Sequence, residues 1–419
     1  MEKKVLTTGI IWSIISFGVM GLCGLSINFL IARTYGPSAL GVFNQSFAAF
    51  TILGILANFG VSLSVLHFIS VNAENRGKVG GILASSTLLT ALTGAVAVGA
   101  AYLFKPVYHY FIGSEQATLG YLFIVPAIFF YSQNKTMLDA INALSKIKDF
   151  ALLQSLRYVA ILSFLVWLIL RRVDESGLVL CVLYGEMTTY IFLLAYFGKL
   201  WTAGSLKEIR SWIPRHLSFG VKGLMGDMAL SLNAYVDVLM LGCILPDVQV
   251  GIYSLASQMV DGLNELFKFF RYPITPYLGS EFASGRVEKL CRWVRSYVRK
   301  VYVAGFFICL LAAALFSPVV LRLVGNDAFE ASKYPFYILL VGIFLGSGYR
   351  PIGLLLSQIG LPGKQTMMRL CIVGINVALN LVLIPSMGLL GAAAATTLSM
   401  FVGALLIRYI VRKATGFAI

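Results

Sequence analysis

The sequence predicts an all-α integral membrane protein with about twelve transmembrane helices in two six-helix lobes. Its 419 residues are 58% hydrophobic and only 12% charged, a balance unlike that of soluble proteins. Apolar runs of about 20 residues or more follow one another along the chain, and each is long enough to cross a hydrocarbon core of about 30 Å. Backbone polar groups must be paired within such a core, so the runs are helices or barrel strands. The strict alternation of barrel strands is absent, which leaves helices.

The apolar runs give six spans in each half of the chain. In the first half they cover residues 8–32, 40–67, 80–104, 118–143, 150–170 and 177–199. In the second half they cover 218–244, 251–277, 297–322, 333–358, 366–385 and 389–410. Between the halves, residues 201–217 mix tryptophan and aliphatic side chains with lysine and arginine, which predicts a cytoplasmic interfacial linker. We therefore expect lobes over residues 1–200 and 218–419.

Charge asymmetry predicts that both termini are cytoplasmic. With this orientation, 22 Lys and Arg residues fall in cytoplasmic segments and 6 in external ones, as the positive-inside rule requires. The formal net charge of +15 then reflects topology and contact with anionic membrane lipids, and not a nucleic-acid partner.

An internal repeat supports the two-lobe architecture. Seven of nine residues match between Ser16–Gly24 and Ser218–Gly226, and Leu40–Phe43 is echoed by Val250–Tyr253. Two halves repeated in the same orientation are a transporter architecture, in which the substrate path lies between the halves near the membrane midplane. The glycines of the repeat have a second interpretation, because small residues also let helices pack closely.

Sequence motifs for catalysis are missing. The six cysteines are scattered without metal-ligand spacing, the three histidines lie far apart, and the chain has no GxxxxGK[ST] phosphate loop. We therefore expect a protein that is not an enzyme and has no cofactor. Transport would draw on ion gradients, membrane potential or substrate supply, with Na⁺ or H⁺ as candidate coupling ions.

Four basic residues fall well inside predicted spans, where an unpaired charge is costly and marks a functional candidate. One hypothesis is a cationic cavity, open to the cytoplasm, that binds a phosphate-bearing headgroup. The alternative is pairing with acidic residues within the membrane, for which Asp139, Glu186, Asp227, Asp261 and Glu265 are available. The four basic residues are Lys135, Arg157, Lys222 and Arg350.

Acids and amides form a second group of candidates on two predicted helices. Asp227, Asn233 and Asp237 lie on the seventh span. We expect Asp227 and Asn233 to bind substrate together with the four basic residues. Asn376 and Asn380 share one face of the eleventh span. Carboxylate and amide oxygens suit a hard monovalent cation or a proton relay, but they also form plain hydrogen bonds between helices. Both interpretations stay open from the sequence.

Two stretches resemble the flippases of bacterial polysaccharide biosynthesis, the O-antigen (Wzx-type) group of the multidrug/oligosaccharidyl-lipid/polysaccharide (MOP) exporter superfamily. The first is Ile31–Phe43, which follows helix 1, and the second is Asn376–Ser399 with its Asn-x-x-x-Asn pattern. The resemblance implies two six-helix lobes in a V, as in multidrug (MATE) exporters and lipid II flippases. The implied activity moves an undecaprenyl-diphosphate-linked oligosaccharide from the cytoplasmic to the periplasmic leaflet by alternating access.

The resemblance also implies an ion-coupling site, because lipid II flippases carry a sodium site on helices 7, 11 and 12. It maps to Asp237, Asn376, Asn380, the Ala392 carbonyl and Thr396. Asn380 stands where an aspartate is expected, so the site loses one charge and its selectivity for sodium is in doubt.

Two other functions compete with the flippase hypothesis. A cation-coupled drug or metabolite exporter of the same fold favours an acidic, aromatic-lined cavity. A membrane polymerase or glycosyltransferase usually carries a large external loop, which is absent from the predicted topology. For the flippase we expect a monomer in a bacterial inner membrane, a lipid-linked oligosaccharide as substrate, and the polysaccharide polymerase machinery as a partner.

Overall fold

The computed structural model describes residues 2–201, 206–269, 278, 281–282, 284, 287–358 and 360–416. Throughout these residues the regular secondary structure is helical, with no strand. The predicted all-α fold is thereby confirmed.

Nine helices make up the first half of the chain. Side-chain caps begin two of them: Asn75 accepts a hydrogen bond from the Lys78 amide at 3.0 Å, and Ser114 accepts one from the Ala117 amide at 3.1 Å. A short 3₁₀ turn, Glu175–Val179, precedes the last helix. The helices are α1 (Glu2–Thr34), α2 (Pro37–Asn58), α3 (Val61–Val71), α4 (Arg76–Leu103), α5 (Lys105–Ile112), α6 (Glu115–Ile124), α7 (Ala127–Ala143), α8 (Ile147–Leu170) and α9 (Leu180–Trp201).

Six long helices and several short ones follow in the second half. The long helices are α10 (Leu206–Ile244), α11 (Asp247–Phe269), α12 (Val287–Leu315), α13 (Lys333–Ser347), α14 (Pro362–Met387) and α15 (Leu389–Thr415). The short ones are a π-helical turn at Phe316–Leu321, a 3₁₀ helix at Asp327–Ser332 and single α-helical turns at Arg322–Val324 and Leu355–Gln358. Residues 206–217 thus begin the continuous helix α10, whereas residues 202–205 of the predicted linker lie outside the described residues.

Nine of the described helices are long and apolar enough to cross a membrane, and the two parts of α10 supply a tenth if they form one span bent by 57°. Three predicted spans are interrupted, and in one of them, 333–358, helix α13 ends at Ser347 and turns follow up to Leu355. Span 40–67 is divided into α2 and α3 by Phe59 and Gly60, which both adopt positive φ angles, and span 118–143 is divided into α6 and α7 at Val125 and Pro126. The count of twelve spans and the cytoplasmic termini stay predictions.

Contacts divide the chain into two compact units, each with its own core. Unit 1 comprises Met1–Asn28 and Val42–Ser231, and unit 2 comprises Phe29–Gly41 and Leu232–Ile419. In unit 1, buried side chains of α3, α4, α7 and α9 pack together with Trp212 of α10. In unit 2, a corresponding core joins α12, the Leu355–Gln358 turn, α14 and α15.

Two pairs of glycines lie at reciprocal close approaches between helices. In unit 2, a Cβ added to Gly41 of α2 would overlap the Asp247 carbonyl of α11, and one added to Gly251 of α11 would overlap the Pro37 carbonyl of α2. Each glycine is the fifth residue of its helix, as the sequence repeat predicts. In unit 1, Gly60 and Gly220 make a similar reciprocal approach.

By contrast, a Cβ on Gly18, Gly21 or Gly24 of α1 would meet open space, so close packing does not explain these three glycines.

Substitution of the paired glycines should lower stability, unlike substitution of an unpaired one. Gly41→Ala and Gly251→Ala each force two backbones apart, so we expect each to lower the free energy of unfolding by about 1–3 kcal/mol. The matched control Gly24→Ala adds a methyl group in open space and should raise it by up to about 1 kcal/mol. Thermal unfolding in detergent measures both effects, and equal melting temperatures for the three variants would contradict the close approach.

Candidate functional site

Arg157, one of the predicted substrate-binding cations, is held in a buried ion pair. Its guanidinium on α8 contacts Glu186 on α9 through Nη2 and also donates from Nε to Glu186 Oε1 at 2.7 Å. The Arg157 side chain is 12% exposed and that of Glu186 is fully buried. Asn134 on α7 donates to the other carboxylate oxygen at 2.7 Å. The structure therefore favours the pairing alternative for Arg157, and its role as a substrate ligand stays a prediction.

Lys135 lies beside this ion pair. Tyr131, one turn earlier on α7, is within electrostatic range of both Lys135 and Arg157, and the Arg157 guanidinium lies 5.1 Å from the centre of the Tyr131 ring. A cation above an aromatic face is stabilised by the ring quadrupole. The structure thus brings two of the predicted cations together around one tyrosine, within unit 1.

The other predicted site residues of α10 differ in exposure. Lys222 and Asn233 are exposed. Asp227 is helical, but its side chain lies outside the described residues.

Arg350, in unit 2, keeps an unused hydrogen-bond donor. Its Nη2 lies 3.2 Å from the Met400 sulfur, while its buried Nε has no hydrogen-bond partner. Asp261 and Glu265 on α11 are within electrostatic range of the guanidinium. A thioether is a weak hydrogen-bond acceptor, and a buried donor without a partner costs free energy. An anion that accepted hydrogen bonds from the Arg350 guanidinium would therefore bind with a net gain in free energy.

Asp237, the predicted ion-coupling carboxylate, is almost fully buried in unit 2. One of its oxygens accepts from the Val238 amide at 2.9 Å, and the other accepts from the Tyr253 hydroxyl at 2.5 Å. Thr396 lies close enough to interact with both side chains, yet its hydroxyl makes no hydrogen bond of standard geometry. The structure therefore brings Asp237 and Thr396 together and adds Tyr253.

The two asparagines of α14 bond to each other. Asn380 donates to Asn376 Oδ1 at 2.9 Å, and Asn380 Oδ1 is buried without a partner. Asn380 Oδ1 and the Thr396 hydroxyl are both buried without a hydrogen bond of standard geometry. Carboxylate, amide and hydroxyl oxygens are the ligand types that suit a hard cation, so the chemistry of the predicted residues is compatible with a monovalent cation. A site shared by the two asparagines and Asp237 stays a prediction.

Sequence reasoning missed Tyr253, which it used only as a marker of the repeat. The available signal was the difference between the two halves, since Phe43 occupies the equivalent position without a hydroxyl. It also missed His216, which is fully buried in unit 1 between the hydroxyls of Ser64 at 2.6 Å and Ser85 at 3.1 Å. His216 anchors the start of α10 to α3 and α4.

Comparisons with known proteins identify the family. The family model described as polysaccharide biosynthesis protein matches residues 6–278, well over half of the chain. The chain belongs to the polysaccharide biosynthesis protein family. This family member is also 24% identical over 390 residues to the probable low-salt glycan biosynthesis flippase Agl15 of Haloferax volcanii, covering 92% of the chain and 79% of that protein.

Solved structures share the fold of this polysaccharide biosynthesis family member. An inward-facing MATE-family multidrug resistance transporter of the MOP superfamily matches with a TM-score of 0.80 and 14% identity, covering 96% of this chain and 98% of the other. The lipid II flippase MurJ, in an inward closed conformation, matches with a TM-score of 0.79 and 16% identity, covering 96% and 87%. The predicted resemblance to polysaccharide biosynthesis proteins is confirmed, and the chain shares the fold of these two transporters.

A double-mutant cycle tests the Arg157–Glu186 pair of this family member. Glu186→Met alone leaves a buried guanidinium without its counter-ion, so we expect a loss of about 3–5 kcal/mol in the free energy of unfolding. Arg157→Met together with Glu186→Met should recover most of that loss, because no charge is left buried.

The exposed pair Arg292–Glu288, with Nη2 and Oε1 2.8 Å apart, is the matched control, and its double-mutant cycle should give a coupling near zero. Denaturant unfolding in detergent measures both cycles. A coupling near zero for the buried pair as well would mean that Arg157 is available to a ligand.

Proposed function

We propose that this protein is a flippase that moves a lipid-linked oligosaccharide between the leaflets of its membrane by alternating access. The carrying observation is the similarity to a glycan biosynthesis flippase over 92% of the chain. The polysaccharide biosynthesis family and the fold shared with a lipid II flippase support the same activity. The absence of catalytic sequence motifs supports a transporter and not an enzyme.

For the cargo we propose an undecaprenyl-diphosphate-linked repeat unit that passes from the cytoplasmic to the periplasmic leaflet of a bacterial inner membrane. A diphosphate needs cationic donors, and the polyprenyl chain stays in lipid. Arg350 supports this assignment best, because its buried Nε lacks a partner. Lys222 is exposed and can reach a ligand. Arg157 would act more weakly, since Glu186 already neutralises it. Lys135 lies beside that pair and would act with it.

Gene deletion with complementation tests the flippase. Without the protein, lipid-linked oligosaccharide should accumulate on the cytoplasmic leaflet, and the wild-type copy should relieve this accumulation. Arg350→Ala should slow transport by about tenfold or more, because it removes hydrogen bonds between charged groups. Arg350→Lys should have an intermediate effect, because it keeps the charge without the planar fork.

The exposed Arg322→Ala serves as the control and should complement fully. An Arg157/Lys222/Arg350 triple alanine variant that complements as well as wild type would remove the cationic residues from the mechanism. If deletion causes no accumulation and instead changes drug sensitivity, the exporter function suggested by the MATE-like fold would replace the flippase.

We further propose that the Asp237 group couples transport to an ion, either Na⁺ or H⁺. An ionised carboxylate without a cation is costly in a low-dielectric interior, so this site calls for a cation or a proton. Asn376, Asn380 and Thr396 would complete the oxygen set, with Tyr253 holding the carboxylate in place.

Gradient-driven transport in proteoliposomes tests this coupling and separates the two ions. Asp237→Asn should abolish the response to an imposed Na⁺ or pH gradient, and Thr396→Ala should weaken it. Thr397→Ala is the matched control, since the Thr397 hydroxyl donates to the Ile338 carbonyl at 2.8 Å, away from Asp237. A response that survives in Asp237→Asn would show that the coupling ion binds elsewhere.

A further inference from the structure

A groove of about 250 Å³ lies between the start of α14 and the end of α15, within unit 2. Its lining combines two lysines with apolar and sulfur-containing side chains. The groove takes no part in the proposed transport mechanism. Its main lining residues are Lys364, Met367, Cys371, Leu406, Tyr409 and Lys413.

The polar and apolar parts of the groove are separated along the axes of the two helices. The two helices are candidate membrane spans over Gly363–Met387 and Leu389–Ala414, so Lys364 and Lys413 both stand at the same membrane boundary. Cys371 and Leu406 each lie seven residues further into the spans, about 10 Å deeper at 1.5 Å per residue. The groove is therefore cationic at the boundary and apolar below it.

Neither lysine is neutralised within the described residues. Both are exposed, and neither forms an ion pair with a described carboxylate. The first turn of α14 adds to the positive potential, because Leu361 provides no side-chain cap for its amide groups. Met367 and Tyr409 expose large apolar surfaces directly below this charge.

We propose that this groove binds an anionic phospholipid, with its phosphate between Lys364 and Lys413 and an acyl chain along Met367, Cys371 and Tyr409. The two charges, with no acidic residue in the lining, favour an anionic headgroup over a zwitterionic one. The apolar depth favours a lipid over a free phosphate ion, which would leave the lower part of the groove unfilled. The site is independent of whether the protein transports glycans.

Native mass spectrometry of the purified full-length protein tests the site, with phosphatidylglycerol as the probe and phosphatidylcholine as the zwitterionic reference. At about 1 kcal/mol for each basic residue near an anionic headgroup, Lys364→Ala and Lys413→Ala should each weaken phosphatidylglycerol binding about fivefold, and together about thirtyfold. Phosphatidylcholine binding should not change.

The charge-matched control is Arg408→Ala with Arg412→Ala, which removes two exposed cations of α15 that do not line the groove. We expect this pair to bind phosphatidylglycerol like wild type. An equal loss in the control would mean that any basic residue at this boundary suffices, which overturns the site. Displacement of the lipid by millimolar inorganic phosphate would overturn it as well, in favour of a small-anion site.

Cysteine protection tests the apolar part without any substitution. Cys371 and Cys243 are both exposed free thiols, but only Cys371 lines the groove. Phosphatidylglycerol should slow the alkylation of Cys371 by a maleimide several-fold and leave that of Cys243 unchanged, with peptide mass spectrometry as the readout. Equal rates for Cys371 with and without the lipid would contradict an acyl chain in the groove.

Discussion

Backbone amides and carbonyls in a hydrocarbon core can be paired only by the chain itself, and the architecture follows from this constraint. The described chain is helical almost throughout, and two of the interruptions within predicted spans occur where protein surrounds the backbone. Gly60 and Val125, at these two breaks, are both buried. Near the second break, the Val125 amide donates to the Tyr121 carbonyl at 3.1 Å, so the break leaves this group satisfied. The helix ends at these breaks place polar backbone inside the protein and not against lipid.

The same desolvation cost governs the charged side chains. Arg157 and Glu186 are tolerated because each is the partner of the other and Asn134 satisfies the second carboxylate oxygen. Asp237 lacks a cationic partner among the described residues and depends on Tyr253 and a backbone amide. Arg350 keeps one donor unpaired. The buried charges thus range from fully paired to incompletely paired, and ligand binding can gain most energy at the incompletely paired ones.

Close backbone contact is the second organising feature. Gly41 and Gly251 occupy equivalent helix positions and approach each other reciprocally, so the repeat visible in the sequence reappears as a local structural pseudo-symmetry within unit 2. In the best-matched repeat, Gly220 on α10 approaches Gly60, whereas the equivalent Gly18 on α1 faces open space. Sequence similarity between the repeats therefore identified equivalent positions but did not decide which of the matched glycines make contact.

The sequence by itself determined the helical membrane class, the position of each apolar segment, the internal repeat and the family. These properties depend on composition and on order along the chain, which lipid solvation translates directly into helices. Only the tertiary structure decided which charges are paired, that Tyr253 holds Asp237, and that His216 is buried between two serines. Such partners are 16 to 152 residues apart in the chain. Their meeting depends on the rotation of each helix about its axis and on which helices pack together, and an apolar sequence with many equivalent aliphatic faces does not specify either.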